Sequence, residues 1–220
     1  LDHIDFDVKE GEIFGFLGPN GAGKTTTIRL LTGLSRPTDG NASILGFDIN
    51  TEITEVKKRV GVVPEFSNLY DELSALDNLL FMAQLYGVPR TGRRKKAEDL
   101  LNTFGLFERK DSPLRTFSHG MKRALTIAAA LIHDPKIVFL DEPTVGLDVV
   151  AARSLRNLIG NLRQQGVTLF ITTHYLEEAD ILCDRIAILV KGRIVKIDTP
   201  KALKATTEEE SVIEFSFAEL

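Results

Sequence analysis

Apolar and polar positions alternate along this chain with two periods. Short runs rich in β-branched residues predict strands at Ile4–Val8, Ile13–Leu17, Val60–Val63, Ile137–Leu140, Val167–Ile171, Ile186–Val190 and Arg193–Ile197. Ile4–Val8 interleaves apolar with acidic residues, the pattern of a half-buried strand. Ile137–Leu140, Leu169–Ile171 and Ile186–Val190 are continuously apolar, as in strands covered on both faces of a parallel sheet. Helical spacing begins near Thr25, Thr51, Ala75, Arg93, His119, Val149 and Leu176. Strand and helix in alternation predict an α/β fold with helices on the sheet. One stretch breaks the rhythm. From about Glu65 to Asp134 only helical patterns occur, punctuated by Gly87-Val88-Pro89, Gly105 and Ser112-Pro113, which predicts a helical insertion in the α/β core. A single domain over 1–220 is expected: a core of 1–65 and 135–205, a helical subdomain at 66–134 and a partial C-terminal extension at 206–220. Within that extension Glu208-Glu209-Glu210 reads as a solvated turn before an alternating segment, Val212 to Phe217.

Composition narrows the class without pointing to chemistry. A chain of 220 residues buries roughly 70% of its unfolded surface, so neither disulfides nor structural metals are required. Cys183 is the only cysteine, which excludes an internal bridge and fits a reducing setting. The net charge of −4 provides no general attraction to nucleic acid or anionic lipid. Arg93-Arg94-Lys95-Lys96 lies where a helix should begin, and with no aromatic residue interleaved it reads as a solvated face. No apolar run approaches the ~18 residues of a membrane span, and the acidic first residues are unlike a signal peptide. The start at Leu1 rather than methionine points to a trimmed chain.

Gly18-Pro19-Asn20-Gly21-Ala22-Gly23-Lys24-Thr25 matches the phosphate-binding pattern G-x-x-x-x-G-K-[ST], between a predicted strand and a helix that begins with Thr25 and Thr26. Glycine permits the close backbone approach that lets successive N–H groups cradle phosphate oxygens, and the helix N-terminus adds favourable potential. Lys24 supplies a point charge for the β- and γ-phosphates, and the Thr25 hydroxyl a ligand for Mg²⁺. This predicts a nucleoside triphosphate site. Such sites take a second metal ligand from a carboxylate at the end of a buried strand. Ile137–Leu140 runs into Asp141 and Glu142, so Asp141 is the expected metal ligand. Glu142, turned to a different face, is the expected general base for the attacking water.

With these residues in place, the chain resembles the nucleotide-binding domain of ABC-type ATPases over essentially its whole length. Phe117-Ser118-His119-Gly120-Met121-Lys122-Arg123 is similar to the family's signature segment, and Thr144-Val145-Gly146-Leu147-Asp148 to its D-loop. His174 matches the switch histidine, Val63-Pro64-Glu65 falls where the family has its Q-loop, and Gly11-Glu12 precedes the phosphate-loop strand. The resemblance implies a P-loop NTPase (RecA-like) core with a mainly parallel sheet, an N-terminal antiparallel β portion and an inserted α-helical subdomain. It implies ATP as substrate, Mg²⁺ as cofactor, and Glu65 approaching the metal. It also implies a site shared by two domains head to tail, with Lys24, Thr25, Asp141, Glu142 and His174 from one and Ser118, His119, Gly120 and Asp148 from the other. His174 is then expected to meet the γ-phosphate and the attacking water. Read as bare sequence, Ser118 is a favourable helix N-cap.

Three departures qualify the match. Glu65 replaces glutamine and cannot donate a hydrogen bond. His119 and Met121 replace the commoner glycine and glutamine, and Met121-Lys122-Arg123 with Pro64-Glu65 resembles drug- and polysaccharide-export members. His119 places a titratable ring near the expected γ-phosphate, which predicts pH-dependent turnover. Neither Phe6 nor Phe14 matches the family's adenine-stacking aromatic, so weakened adenine selectivity is expected of this chain. The implied function is ATP hydrolysis driving transport, in the export direction, through a transmembrane permease partner, at the cytoplasmic face of the membrane and without nucleic acid. The Glu65–Leu76 loop with the helical insertion is the expected groove for that partner. The rivals are an ABC-type ATPase acting on nucleic acid or ribosomes, and a nucleotide-responsive adaptor that does not hydrolyse.

Overall fold

The computed structural model describes residues 1–208. Its centre is a six-stranded sheet of β1 (Ile13–Leu17), β4 (Val60–Val63), β5 (Ile137–Asp141), β6 (Thr168–Thr173), β7 (Arg185–Val190) and β8 (Arg193–Asp198). The spatial order is β4-β5-β6-β1-β7-β8, and every neighbouring pair is parallel except β7 with β8. A separate antiparallel pair is formed by β2 (Ser43–Ile44) and β3 (Phe47–Asp48). The fold class is the expected one, and the six predicted strands of the main sheet lie within a residue or two of their expected bounds.

Residue alternation sorts the strand side chains between two cores. On one face Phe14 and Phe16 of β1, Phe139 of β5 and Phe170 of β6 pack with Ile28 of helix α1 (Lys24–Leu31) and Val56 of α2 (Ile53–Lys57). Their rings lie 5.1–6.2 Å apart where they meet, within the range of favourable aromatic pairs. On the other face Ile13, Val63, Val138, Leu140, Leu169 and Ile171 meet the larger helical layer. That layer comprises α3 (Ala75–Leu85), α4 (Arg93–Thr103), α5 (His119–Leu131), α6 (Val149–Gln164) and α7 (Leu176–Leu182). Both faces being covered explains why these strands read as continuous apolar runs. A last helix, α8 (Pro200–Glu208), seats Leu203 in the same layer.

Two expectations are corrected. Ile4–Val8 forms no strand. Its burial does alternate, and Phe6 stacks on Phe14 at 5.7 Å, but among the described residues no ladder of backbone hydrogen bonds forms there. The alternating pattern reports which side chains face the core and is silent on whether a neighbouring backbone is in register. Glu208, expected in a solvated turn, is the last residue of α8. Glu209, Glu210 and Val212 to Phe217 lie outside the described residues.

Between β4 and β5 the chain is helical, with 3-10 turns at Phe107–Arg109 and Leu114–Thr116 beside α3, α4 and α5. The basic start of α4 is paired within the chain: Arg94 with Glu98 at 3.2 Å, Lys96 with Asp134, and Arg93 with the Val88 carbonyl at 3.1 Å through Nε. Helix α5 runs against β4 so closely that a Cβ on Gly61 would sit 2.5 Å from the Ala130 carbonyl oxygen.

Candidate nucleotide and hydrolysis site

The carboxyl ends of β1, β5 and β6 meet at one edge of the sheet, and the functional residues gather there. Gly18 to Gly23 form the turn from β1 into α1. Gly18 has no room for a side chain, because a Cβ would lie 2.3 Å from the Leu189 carbonyl oxygen. Gly23 takes φ +111°, open to glycine, and caps α1 without any side-chain bond. The first-turn N–H groups of a helix have no intrahelical acceptor. A bare glycine cap leaves them to an anion. By contrast, α3, α5 and α6 are capped by Ser74, Ser118 and Asp148.

Lys24 is buried and bends back over the loop, donating to the Gly18 carbonyl at 2.6 Å and the Pro19 carbonyl at 3.2 Å. Its Nζ also lies 3.1 Å from Glu142 Oε1. The other Glu142 oxygen, Oε2, is 3.0 Å from His174 Nδ1. The Glu142 carboxylate is thus held between a cation from the phosphate loop and a half-buried imidazole beyond β6. Asp141, also buried, accepts from the Thr25 hydroxyl at 2.8 Å through Oδ2 and from the Thr172 hydroxyl through Oδ1.

Thr25 and Asp141 therefore present two hard oxygen donors side by side. Mg²⁺ is commonly held by one or two such protein groups, the remaining positions being filled by water and substrate phosphate. Among the described residues no group of three or more His, Cys, Asp or Glu side chains could hold a metal. That donor set fits Mg²⁺ carried with a nucleotide better than a dedicated metal cage.

The turn that carries the two acids is strained. Glu142 adopts φ +48°, a region that costs a side-chain-bearing residue on the order of 1–3 kcal/mol. Its N–H is bonded to the Thr172 carbonyl at 3.1 Å and to the Thr172 hydroxyl at 3.0 Å. Arg123 donates to the carbonyls of Asp141, Glu142 and Pro143. Two residues later the Thr144 hydroxyl donates to Glu178 Oε1 at 2.7 Å. Glu178 is 3% exposed, and burial pushes its carboxyl above the usual carboxylate range.

The remaining predicted residues lie together but apart from that cluster. Ser118 accepts the Met121 N–H at 3.3 Å, and Asp148 accepts the Ala151 N–H at 2.8 Å, so each caps its own helix. The exposed ring of His119 packs on Gly146: a Cβ built on Gly146 would meet its Cε1 at 3.1 Å. A Cβ on Gly120 would meet Ala151 at 2.9 Å. Among the described residues no hydrogen bond or ion pair joins Ser118, His119, Gly120 or Asp148 to Lys24 or Glu142. Glu65 is exposed and lines an open cleft of about 330 Å³ with His119, Ser67, Lys122 and Arg123. Among the described residues no hydrogen bond or ion pair joins it to Thr25 or Asp141.

Sequence reasoning passed over Arg123 and Glu178 as individuals. The available signal was periodicity: Arg123 lies four residues before the buried Ile127 and Glu178 four before the buried Leu182, so each puts a charge on an apolar helix face.

The arrangement matches a known family. The family model described as ABC transporter covers residues 1–145. The linearmycin resistance ATP-binding protein of Bacillus subtilis is 39% identical over 97% of this chain and 68% of its own length. A Nod factor export ATP-binding protein of Burkholderia orbicola is 41% identical over 92% of this chain and 67% of its own length. The chain thus spans about two thirds of these relatives. Among solved structures, a dimeric ATP-binding cassette in a post-hydrolysis state with ADP and Pi superposes with TM-score 0.80 at 27% identity, over 90% of this chain and 89% of that one. These matches in sequence and in fold show that the chain belongs to the ABC transporter family as an ATP-binding ATPase domain.

Proposed function

We propose that this chain hydrolyses ATP, with Mg²⁺, to drive an export-type transporter, and that it does so as one of two domains paired head to tail. The observation that carries this reading is the convergence of Lys24, Glu142 and His174 beside the Thr25–Asp141 pair. The loop Gly18-Pro19-Asn20-Gly21-Ala22-Gly23 wraps the phosphates with the backbone N–H groups of Asn20, Gly21, Gly23, Lys24, Thr25 and Thr26, while the Gly18 and Ala22 N–H groups hold the loop's shape through the Thr173 and Pro19 carbonyls, and the Lys24 ammonium neutralises the developing charge. Thr25 and Asp141 hold the Mg²⁺, which supplies further charge neutralisation when bound. Glu142 accepts a proton from the attacking water as its oxygen bonds to the γ-phosphorus and the bond to the ADP oxygen breaks. His174, already bonded to Glu142, orients that carboxylate and reaches the γ-phosphate.

A second copy or a related domain completes the site with Ser118, His119, Gly120 and Asp148. These four occupy one surface, next to Val149 and Val150, which are 81% and 76% exposed. Adjacent exposed valines beside a helix N-terminus favour a face that is covered in the assembly. The transmembrane partner is placed at the Glu65–Leu76 loop, where Phe66 is 80% and Tyr70 53% exposed. Attachment at the cytoplasmic face is assigned to that partner in this reading; among the described residues no helix is long and apolar enough to cross a membrane. Glu65, which lines the cleft with His119, is the residue that would approach the metal in this reading. The 66–134 segment is the subdomain that would carry the Glu65–Leu76 loop.

Glu142→Gln tests the reading. It should abolish steady-state phosphate release while ATP-dependent dimers, followed by size-exclusion chromatography, persist. Hydrolysis surviving in that variant removes Glu142 as the base, and dimerisation indifferent to ATP removes the shared site.

A further inference from the structure

The guanidinium of Arg123 has no part in the scheme above, yet it touches the backbone on which that scheme depends. It is 4% exposed. Its N–H donors end on carbonyls from two separate strand ends. Nη1 donates to the Pro64 carbonyl and to Glu65 at 3.1 Å, just beyond β4. Beyond β5, Nη2 donates to Asp141 at 2.6 Å and Glu142 at 3.2 Å, and Nε to Pro143 at 2.9 Å. No carboxylate takes any of these bonds, although Asp141, Glu178, Glu65 and Glu142 all favour the cation electrostatically. Burial lowers its pKa to about 10, so it remains charged at neutral pH.

The choice of acceptors is informative. Arg123 binds the carbonyls immediately before, at and after the residue with φ +48°, the position that sets where the Glu142 carboxylate points. Arg123 also sits in the second turn of α5, whose first turn bears His119 and Gly120. We propose that Arg123 is a positioning residue for hydrolysis: its planar fork holds the Asp141–Pro143 turn in its strained shape and ties that turn to the helix end expected to meet the opposing nucleotide. This rests on the reading of Glu142 as general base. The fork is essential because a lysine ammonium is a single point of donation and cannot span carbonyls from two strand ends.

The test uses Arg123→Lys, Arg123→Met and Arg123→Gln in the full chain, with kcat and KM for ATP from phosphate release and site concentration from titration with a fluorescent ATP analogue. Per nucleotide-binding site, R123K and R123M should each lose at least tenfold in kcat, with KM within about twofold of the parent. R123Q, which keeps two coplanar N–H donors, should lose less. A merely structural role would reduce the number of binding sites and leave kcat per site intact. The proposal is overturned if R123K keeps kcat per site within twofold, which would make charge rather than geometry the cause. Equal loss in R123Q and R123M overturns it too, and this comparison serves if R123K does not fold. Glu142→Gln run alongside separates the two readings. Hydrolysis surviving there removes the base, whereas its loss with an unimpaired R123K removes only the positioning role.

Discussion

At the scale of single residues, charge is tolerated in the interior only where neighbours pay its desolvation. Lys24, Asp141, Glu142 and Arg123 are all buried, and each has an opposite charge or several polar partners within hydrogen-bond reach. Glu178 is the least compensated: one oxygen accepts from Thr144 while the other is buried without a hydrogen-bond partner. Its raised pKa sets a sign. Folding carries no penalty from this group while it is protonated in both states, and the penalty grows as pH rises from about 4.5 through the folded pKa. Glu178→Gln keeps an acceptor for Thr144 and removes the charge. Its urea midpoint should match or exceed the parent's at pH 7.5, with the gap closing towards pH 4. A second residue-scale expectation concerns His119, whose ring rests on Gly146. His119→Gly should alter the pH–rate profile for phosphate release, and an unchanged profile would place the ring outside the chemistry.

Among elements, close approach and burial matter more than propensity. Helix α5 meets β4 across Gly61. Gly61→Ala should force the Ala130 carbonyl away and cost about 1–3 kcal/mol, read as a lower thermal midpoint. Just beyond the end of α5, His133 stacks on Tyr86 of α3's end at 3.8 Å between centroids, with Nε2 3.0 Å from the Val60 carbonyl. That contact requires Nε2 to donate, and the buried Nδ1 has no partner. Burial therefore pushes its pKa below 6.5. The unfolded chain binds a proton that the folded chain refuses, so stability is lost as pH falls from about 6.5 towards the lower folded value. His133→Gln, whose amide can still donate to Val60, should flatten the fall in thermal midpoint between pH 7.5 and 5.5. An undiminished fall would assign that pH dependence to other groups.

Across the whole molecule, the candidate site divides into two groups of side chains that no hydrogen bond or ion pair joins among the described residues. One holds the phosphate loop, Glu142 and His174; the other holds Ser118, His119, Gly120 and Asp148. If two chains complete each other's sites, mixing defective copies should restore function. In a mixed dimer of Lys24→Met with Ser118→Arg chains, one site carries both defects and the other carries neither. Phosphate release from the mixture should exceed the sum of the separate proteins. Activity that stays at that sum would mean that each chain works alone.

The phosphate loop was legible because glycine, lysine and threonine at fixed spacing between strand and helix have few uses other than phosphate. The strands were legible because burial on both faces leaves continuous apolar runs, and Asp141 and Glu142 because two acids end one of them. Local chemistry determines these features, and neighbouring residues along the chain suffice to reveal them. Only the tertiary structure decided that Ile4–Val8 forms no strand, since pairing depends on which backbone lies alongside. It alone showed the positive φ of Glu142, and the Arg123 fork that gathers carbonyls from strand ends almost eighty residues apart. It also put Glu65 in the lining of a cleft with His119. A sequence records which groups a chain carries. Which of them share a dry, crowded place depends on contacts between segments far apart along it, and there their chemistry is set.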